Sequence, residues 1–182
     1  MHQWCVIYSS VTGNTRKVAE AIAETAGTKA IPLAQAPTLY AGTDIVAVGY
    51  WLWRGGPDPK TAAFLPKLRD TNVVLFETHA AENRSEHAIT AFARAAQLLD
   101  RSCRILATFE CQGQVSEAVA ARRAKLPPND PHAKATGWKT AQGHPNESDL
   151  AAVREFAQKA DLKLQMLEDA AARQAAKSKP NV

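Results

Sequence analysis

"IYSSVTGNTRKVAEAI", residues 7–22, holds the transition on which the fold turns. The stretch "QWCVIYS" (3–9) is a short apolar run of β-branched and aromatic residues, and it reads as a buried strand. Beyond the turn, Val18, Ala19, Ile22 and Ala26 recur at helical spacing, and Gly27 stands where such a helix stops. Between strand and helix lie the hydroxyls of Ser9, Ser10, Thr12 and Thr15 with Gly13 and Asn14, and no positive charge precedes Arg16. Two readings fit this turn. Thr12 or Asn14 could simply cap the helix. Alternatively, the unpaired amides of the helix start, joined by the hydroxyl donors and by the close approach that Gly13 permits, form a neutral cradle for a phosphate. The density of hydroxyls directly after the first strand favours the phosphate.

Outward from this turn the chain alternates. "KAIPL" (29–33) is a weak strand whose Pro32 suggests a sheet edge. "DIVAVGY" (44–50), "NVVLFET" (72–78) and "CRILATFEC" (103–111) are apolar runs typical of strands buried on both faces. "PKTAAFLPKL" (59–68) is expected to be helical despite Pro66. "SEHAITAFARAAQLLD" (85–100) starts on a Ser cap and carries an expected apolar face of Ile89, Phe92, Ala96 and Leu99. A long amphipathic helix begins near Asn146. Five strands interleaved with helices predict an α/β fold, a parallel sheet covered on both faces, with ligands beyond the carboxyl ends of the strands.

Composition narrows the class. The 182 residues suit one domain, and 46% hydrophobic with 22% charged residues is the balance of a globular protein. No apolar stretch approaches the roughly 20 residues of a membrane span. The start shows neither a basic n-region nor a cleavage site, so no signal peptide is expected, and cysteines set in buried strands as reduced thiols point to a cytoplasmic location. Cys5, Cys103 and Cys111 form no C-x-x-C pair, and neither they nor His132 and His144 show metal-ligand spacing, so no metal is expected. The net charge of +4 is concentrated in residues 171–182, where Arg173, Lys177 and Lys179 meet no acid. That stretch is expected to be a flexible basic tail after a single domain spanning 1–170, and nucleic-acid binding is not expected.

Several phosphate sites are excluded. The chain has no G-x-x-x-x-G-K-[ST] and no G-x-G-x-x-G. It lacks the acids that a phospho-acceptor domain needs after its first and third strands, and no cysteine has an arginine six positions on.

The stretch 7–22, with an aromatic strand end, a hydroxyl, a G-[NT]-T turn and an alanine-rich helix, resembles the flavodoxin signature. The resemblance extends over the chain in element order and implies a five-stranded parallel sheet of order 2-1-3-4-5 that binds FMN at the switch point. It implies that Ser9, Ser10, Thr12, Gly13, Asn14 and Thr15 hold the phosphate. Trp51, Leu52, Trp53, Arg54 and Gly55 would flank one face of the flavin ring, with the glycines free to turn a peptide toward it. Thr78, His79 and Ala80 would flank the other face, where flavodoxins place a tyrosine that this chain lacks. Cys111, Gln112 and Gly113 would lie along the pyrimidine edge. Residues 115–147 depart from short flavodoxins. There His132, Trp138 and His144 would form a lid or docking surface or pack over the core.

The function implied is one-electron carriage at low potential between redox partners, by a monomer or weak dimer. An FMN-dependent reductase of a quinone or other conjugated acceptor is the alternative, and the arginines Arg54, Arg122 and Arg123 speak for an anionic partner. A non-redox interaction module is a third reading, against which the intact phosphate loop argues.

Overall fold

The computed structural model describes residues 1–127, 129–130 and 137–177. The apolar runs become strands β1 (Trp4–Tyr8), β2 (Ala30–Pro32), β3 (Ile45–Trp53), β5 (Asn72–His79) and β6 (Arg104–Gln112). Gly56–Pro57 adds a two-residue β4, paired antiparallel with the end of β3. The helices are α1 (Asn14–Thr25), α2 (Pro59–Phe64), α3 (Glu86–Leu98), α4 (Glu117–Ala124), α5 (Gly137–Thr140) and α6 (Glu147–Lys177). The sheet runs β2-β1-β3-β5-β6 with every neighbour on this path parallel. With the β4 ribbon set aside, this is the order 2-1-3-4-5. Pro32 ends β2 at the sheet edge, where its missing N–H costs no ladder bond.

Each strand sends successive side chains to opposite faces. Val6, Ile45, Ala47, Val74, Phe76 and Leu106 join α1 and α6 on one side. Ile7, Val46, Val48, Tyr50, Val73 and Leu75 join Leu65, Leu68 and Ala95 on the other. Burying each large apolar side chain contributes roughly 1.5–3 kcal/mol, so both layers are needed. In α1, Val18, Ala19 and Ile22 are fully buried as the spacing predicts, and Gly27 at φ 69 closes the helix through its N–H to the Glu24 carbonyl.

Three details differ from expectation. The buried face of α3 runs through Ala88, Ala91 and Ala95, with Phe92 at its margin, while Ile89 is 59% exposed. Three alanines let the helix lie close to the sheet, and that shifts the face by one residue. Pro66 ends the α-helical stretch: α2 stops at Phe64 and a 3₁₀ turn, Leu65–Lys67, follows, since Pro66 offers no N–H to the ladder. The last helix continues to Lys177, well into the stretch expected to be a tail. Its buried residues are Val153, Ala157, Ala160 and Leu164, so the turns beyond Leu164 bury none. His132 and Lys179 lie outside the described residues. No helix among the described residues is long and apolar enough to cross a membrane.

Candidate functional site

The carboxyl ends of β1, β3, β5 and β6 surround a cavity of about 980 Å³. Its first wall is the start of α1. Gly13 occupies the N-cap position in the left-handed region (φ 91, ψ −9), a conformation that glycine adopts without strain, and no side chain caps the helix. The first turn holds no acid either. The simple capping reading for Thr12 or Asn14 therefore fails, and the leading amides of α1, at the cavity wall, have no side-chain acceptor. Thr12, Asn14 and Thr15 line the cavity. The Asn14 amide donates to Thr12 Oγ1 (3.1 Å) and to the Gln114 carbonyl (2.8 Å), and Thr15 Oγ1 is 2.8 Å from Thr78 Oγ1.

The two serines do other work. Ser10 Oγ accepts from the Gly13 N–H at 3.1 Å and so shapes the turn. Ser9 Oγ donates to Asp58 Oδ1 at 3.0 Å, away from the cavity. Asp58 is buried as the N-cap of α2, where it also accepts from Lys60 and Thr61.

The second wall is aromatic. β3 stays extended through Trp53, which puts Trp51 and Trp53 on one side with their rings edge to face, 5.3 Å between centroids. Both line the cavity with Leu52 and Arg54, and the Arg54 guanidinium lies 5.3 Å over the Trp53 ring. The expected mobile glycine loop is a tight hairpin turn instead. Arg54 (φ 51) and Gly55 (φ 77) are its two central residues, joining Trp53 to Gly56. Arg94 Nη1 holds the turn by donating to the Arg54 carbonyl at 2.9 Å, and Gly55 does not line the cavity.

Thr78, His79 and Ala80 line the third wall as the end of β5, and Gly113 lines the cavity after β6. The other two residues of the expected edge turn away. Cys111 is buried in the α1–α6 layer, and burial pushes its thiol pKa well up, so it is an inert core residue. Gln112 donates to the carbonyls of Ala81 (2.8 Å) and Gly137 (3.1 Å) and lies 2.9 Å from Thr140 Oγ1, which pins α5 against the loop after β5. His144 does not line the cavity and binds Asp149 at 2.6 Å; Trp138 carries Lys139 over its ring.

The fourth wall is α4, a basic helix within the 115–147 segment that was not among the expected flavin contacts. Val115, Ser116, Val119, Arg122 and Arg123 line the cavity, and Ser116 caps the helix by accepting from the Val119 N–H. Val119, Arg122 and Arg123 share one face of the helix, and that spacing was the available signal.

Beneath the third wall sits a further missed group. Glu77 lies at 0% exposure opposite Tyr50 on one side and Glu110 on the other. Burial pushes its carboxyl pKa up to about 8; Tyr50 partly opposes this and Glu110 adds to it. His79, also buried, stands with Nε2 3.3 Å from Glu110, and burial lowers its pKa against the pull of that carboxylate. A glutamate inside each of two apolar strand runs was the signal for this group.

A doubly wound parallel sheet with an uncapped, neutral helix start and an aromatic wall at its switch point defines a flavodoxin-like protein. The particular family follows: residues 5–158 match the Flavodoxin domain, and the chain belongs to that family. The chain is 28% identical over 162 residues to the flavodoxin-like domain-containing protein BilS of Clostridioides difficile (strain CD3), covering 84% of this chain and 92% of that one. Among solved structures it resembles oxidised flavodoxin 2 of Bacillus cereus, with a TM-score of 0.57 at 16% identity over 88% of this chain and 99% of the other. It also resembles a Lactobacillus acidophilus flavoprotein solved in complex with FMN, with a TM-score of 0.50 at 16% identity over 60% of this chain and 93% of that one.

Proposed function

We propose that the cavity binds FMN and that the protein carries electrons, one at a time and at low potential, between redox partners. The observation that carries this reading is the bare start of α1: Gly13 leaves the leading amides uncapped, and three neutral polar side chains, Thr12, Asn14 and Thr15, stand beside them at the cavity wall. FMN supplies the electron-accepting ring. The amides of Asn14, Thr15 and Arg16 bind its phosphate, with Thr12 Oγ1 as a further donor. Trp51 and Trp53 pack against one ring face and exclude water there. Thr78, His79 and Ala80 border the other, and the peptides of Gly113 and Gln114 meet the polar edge. The cradle from Ser9 to Thr15 contains no Lys or Arg, so the phosphate charge is met by dipoles alone. The uncompensated phosphate and the apolar tryptophan wall oppose further negative charge on the ring, which favours a low potential.

The second reading is a reductase of an anionic conjugated acceptor of the quinone class. Its specific support is that Arg54, Arg122 and Arg123 all line the cavity.

The test is a titration of purified protein with FMN and with riboflavin, followed by stepwise reduction. FMN is expected to be quenched with at least tenfold higher affinity than riboflavin, about 1.4 kcal/mol for the phosphate. A protein that quenches neither sinks both readings, and equal affinities remove the phosphate cradle. Two resolved one-electron stages support the carrier. Direct two-electron reduction by a nicotinamide, with turnover of a quinone, supports the reductase.

A further inference from the structure

Beneath the cavity lie two carboxylates that flavin binding does not use, Glu77 and Glu110, beside His79, which lines it. Glu77 and Glu110 are register partners on β5 and β6, and His79 follows Glu77 by two residues, so strand alternation puts all three on one sheet face. One ligand atom from each lies within 4.8 Å of the other two. Glu77 is fully buried, and neither its carboxylate oxygens nor the hydroxyl of Tyr50, its register partner on β3, makes a hydrogen bond of normal geometry. Folded proteins rarely leave such a group without a counterpart, and an ion is one of the few explanations available.

The histidine sharpens this. His79 Nδ1 lies 3.2 Å from the Ala81 carbonyl, an acceptor only, so that bond assigns the ring proton to Nδ1. Nε2 then presents a lone pair toward Glu110, acceptor against acceptor at 3.3 Å. Three groups thus turn acceptor atoms toward one small volume, and once Glu77 is ionised none of them donates into it.

We propose that Glu77, His79 and Glu110 form a binding site for one divalent transition-metal ion of the Zn²⁺ type, set beneath the cavity. Two carboxylates and a neutral imidazole match a dication in charge. Imidazole with carboxylates suits Zn²⁺, Fe²⁺ or Mn²⁺, whereas Ca²⁺ seeks six or more oxygens and Mg²⁺ a near-ideal octahedron. The outer support is already in place. The His79 Nδ1 bond to a backbone carbonyl fixes tautomer and ring orientation, and the second oxygen of Glu110 accepts from the Arg84 N–H. His79 also lines the cavity, which gives the ion a way in. Three protein ligands leave a coordination position for water or for a cavity ligand. Cys111 packs in the layer on the opposite sheet face, so no thiolate takes part.

The site assumes nothing about FMN and is tested on the flavin-free full chain. Protein stripped with a chelator and dialysed is incubated with Zn²⁺, freed of excess by gel filtration and analysed for metal, with calorimetry for affinity. One equivalent retained, with a raised melting temperature, is the expected result. Glu77→Gln and His79→Gln should each weaken binding about a hundredfold or more. Glu77→Gln replaces a buried carboxyl by an amide of the same shape and should fold; His79→Gln leaves that carboxyl alone, so the test does not rest on one variant. His2, whose ring sits between Asp161 and Glu168 near the surface, is the competing cluster. No retained Zn²⁺, unchanged affinity in both site variants, or loss of the equivalent in His2→Gln would each overturn the proposal.

Discussion

Gly113→Ala probes the phosphate cradle without touching a group that binds phosphate. A Cβ at this position would sit 2.6 Å from Asn14 Nδ2 and 2.9 Å from both Asn14 Cβ and Cγ. Ordinary contacts between carbon atoms are about 3.5–4.0 Å, so the Asn14 side chain must move by most of an ångström. It is held by hydrogen bonds to Thr12 Oγ1 and the Gln114 carbonyl, each contributing about 1 kcal/mol. Overpacking of this kind costs roughly 1–3 kcal/mol. Because Asn14 is the first residue of α1, the displacement reaches the amides that face the cavity. The melting temperature should fall by several degrees, at about 2–4 °C per kcal/mol for a chain of this size. FMN affinity should fall about tenfold while riboflavin affinity changes little. Flavin fluorescence titration and thermal unfolding read the two effects. Adding Asn14→Ala removes two of the three clashing atoms, so part of the stability should return while FMN affinity stays low. An unchanged melting temperature together with unchanged FMN binding would refute the reasoning.

Gly49→Ala would set a Cβ 2.1 Å from Cε2 of the fully buried Phe76; destabilisation of about 1–3 kcal/mol is expected in denaturant unfolding, with partial recovery when Phe76→Leu is added. Trp53→Ala should shift the absorption spectrum of bound FMN and free the Arg54 guanidinium, now 5.3 Å over that ring; a spectrum identical to the parent would place the tryptophan wall elsewhere. The His2 pKa is raised: burial alone would lower it, but hydrogen bonds to Glu168 and Asp161 outweigh that effect. A group whose pKa is higher when folded stabilises fully below its unfolded value of 6.5 and loses that contribution as pH rises through the folded value. Melting curves of His2→Gln should therefore lie below the parent's in mild acid and converge with them in alkaline buffer.

The site was legible only where neighbours in sequence are neighbours in space. The loop from Tyr8 to Thr15 and the Trp-x-Trp wall are local features, and reading them needed only a strand, a turn and a helix. The α4 wall shows the limit. Its face was written in Val119, Arg122 and Arg123, but nothing in one helix says which neighbour it covers. Ser9 and Gln112 show it again, because a hydroxyl or amide near a site faces whichever partner the fold offers. Asp58 takes Ser9, and the carbonyls of Ala81 and Gly137 take Gln112.

The sequence by itself determined the alternation of strands and helices, the edge position of the Pro32 strand and the neutral turn before α1. Those depend on periodicity, on the missing N–H of proline and on residue chemistry within a few positions. Only the tertiary structure decided that Glu77, His79 and Glu110 meet. Glu77 and Glu110 are separated by an entire helical crossover, and parallel register alone sets them opposite each other. Pairing across a sheet is fixed by how whole strands align, and a residue's own neighbourhood in the chain carries no record of it.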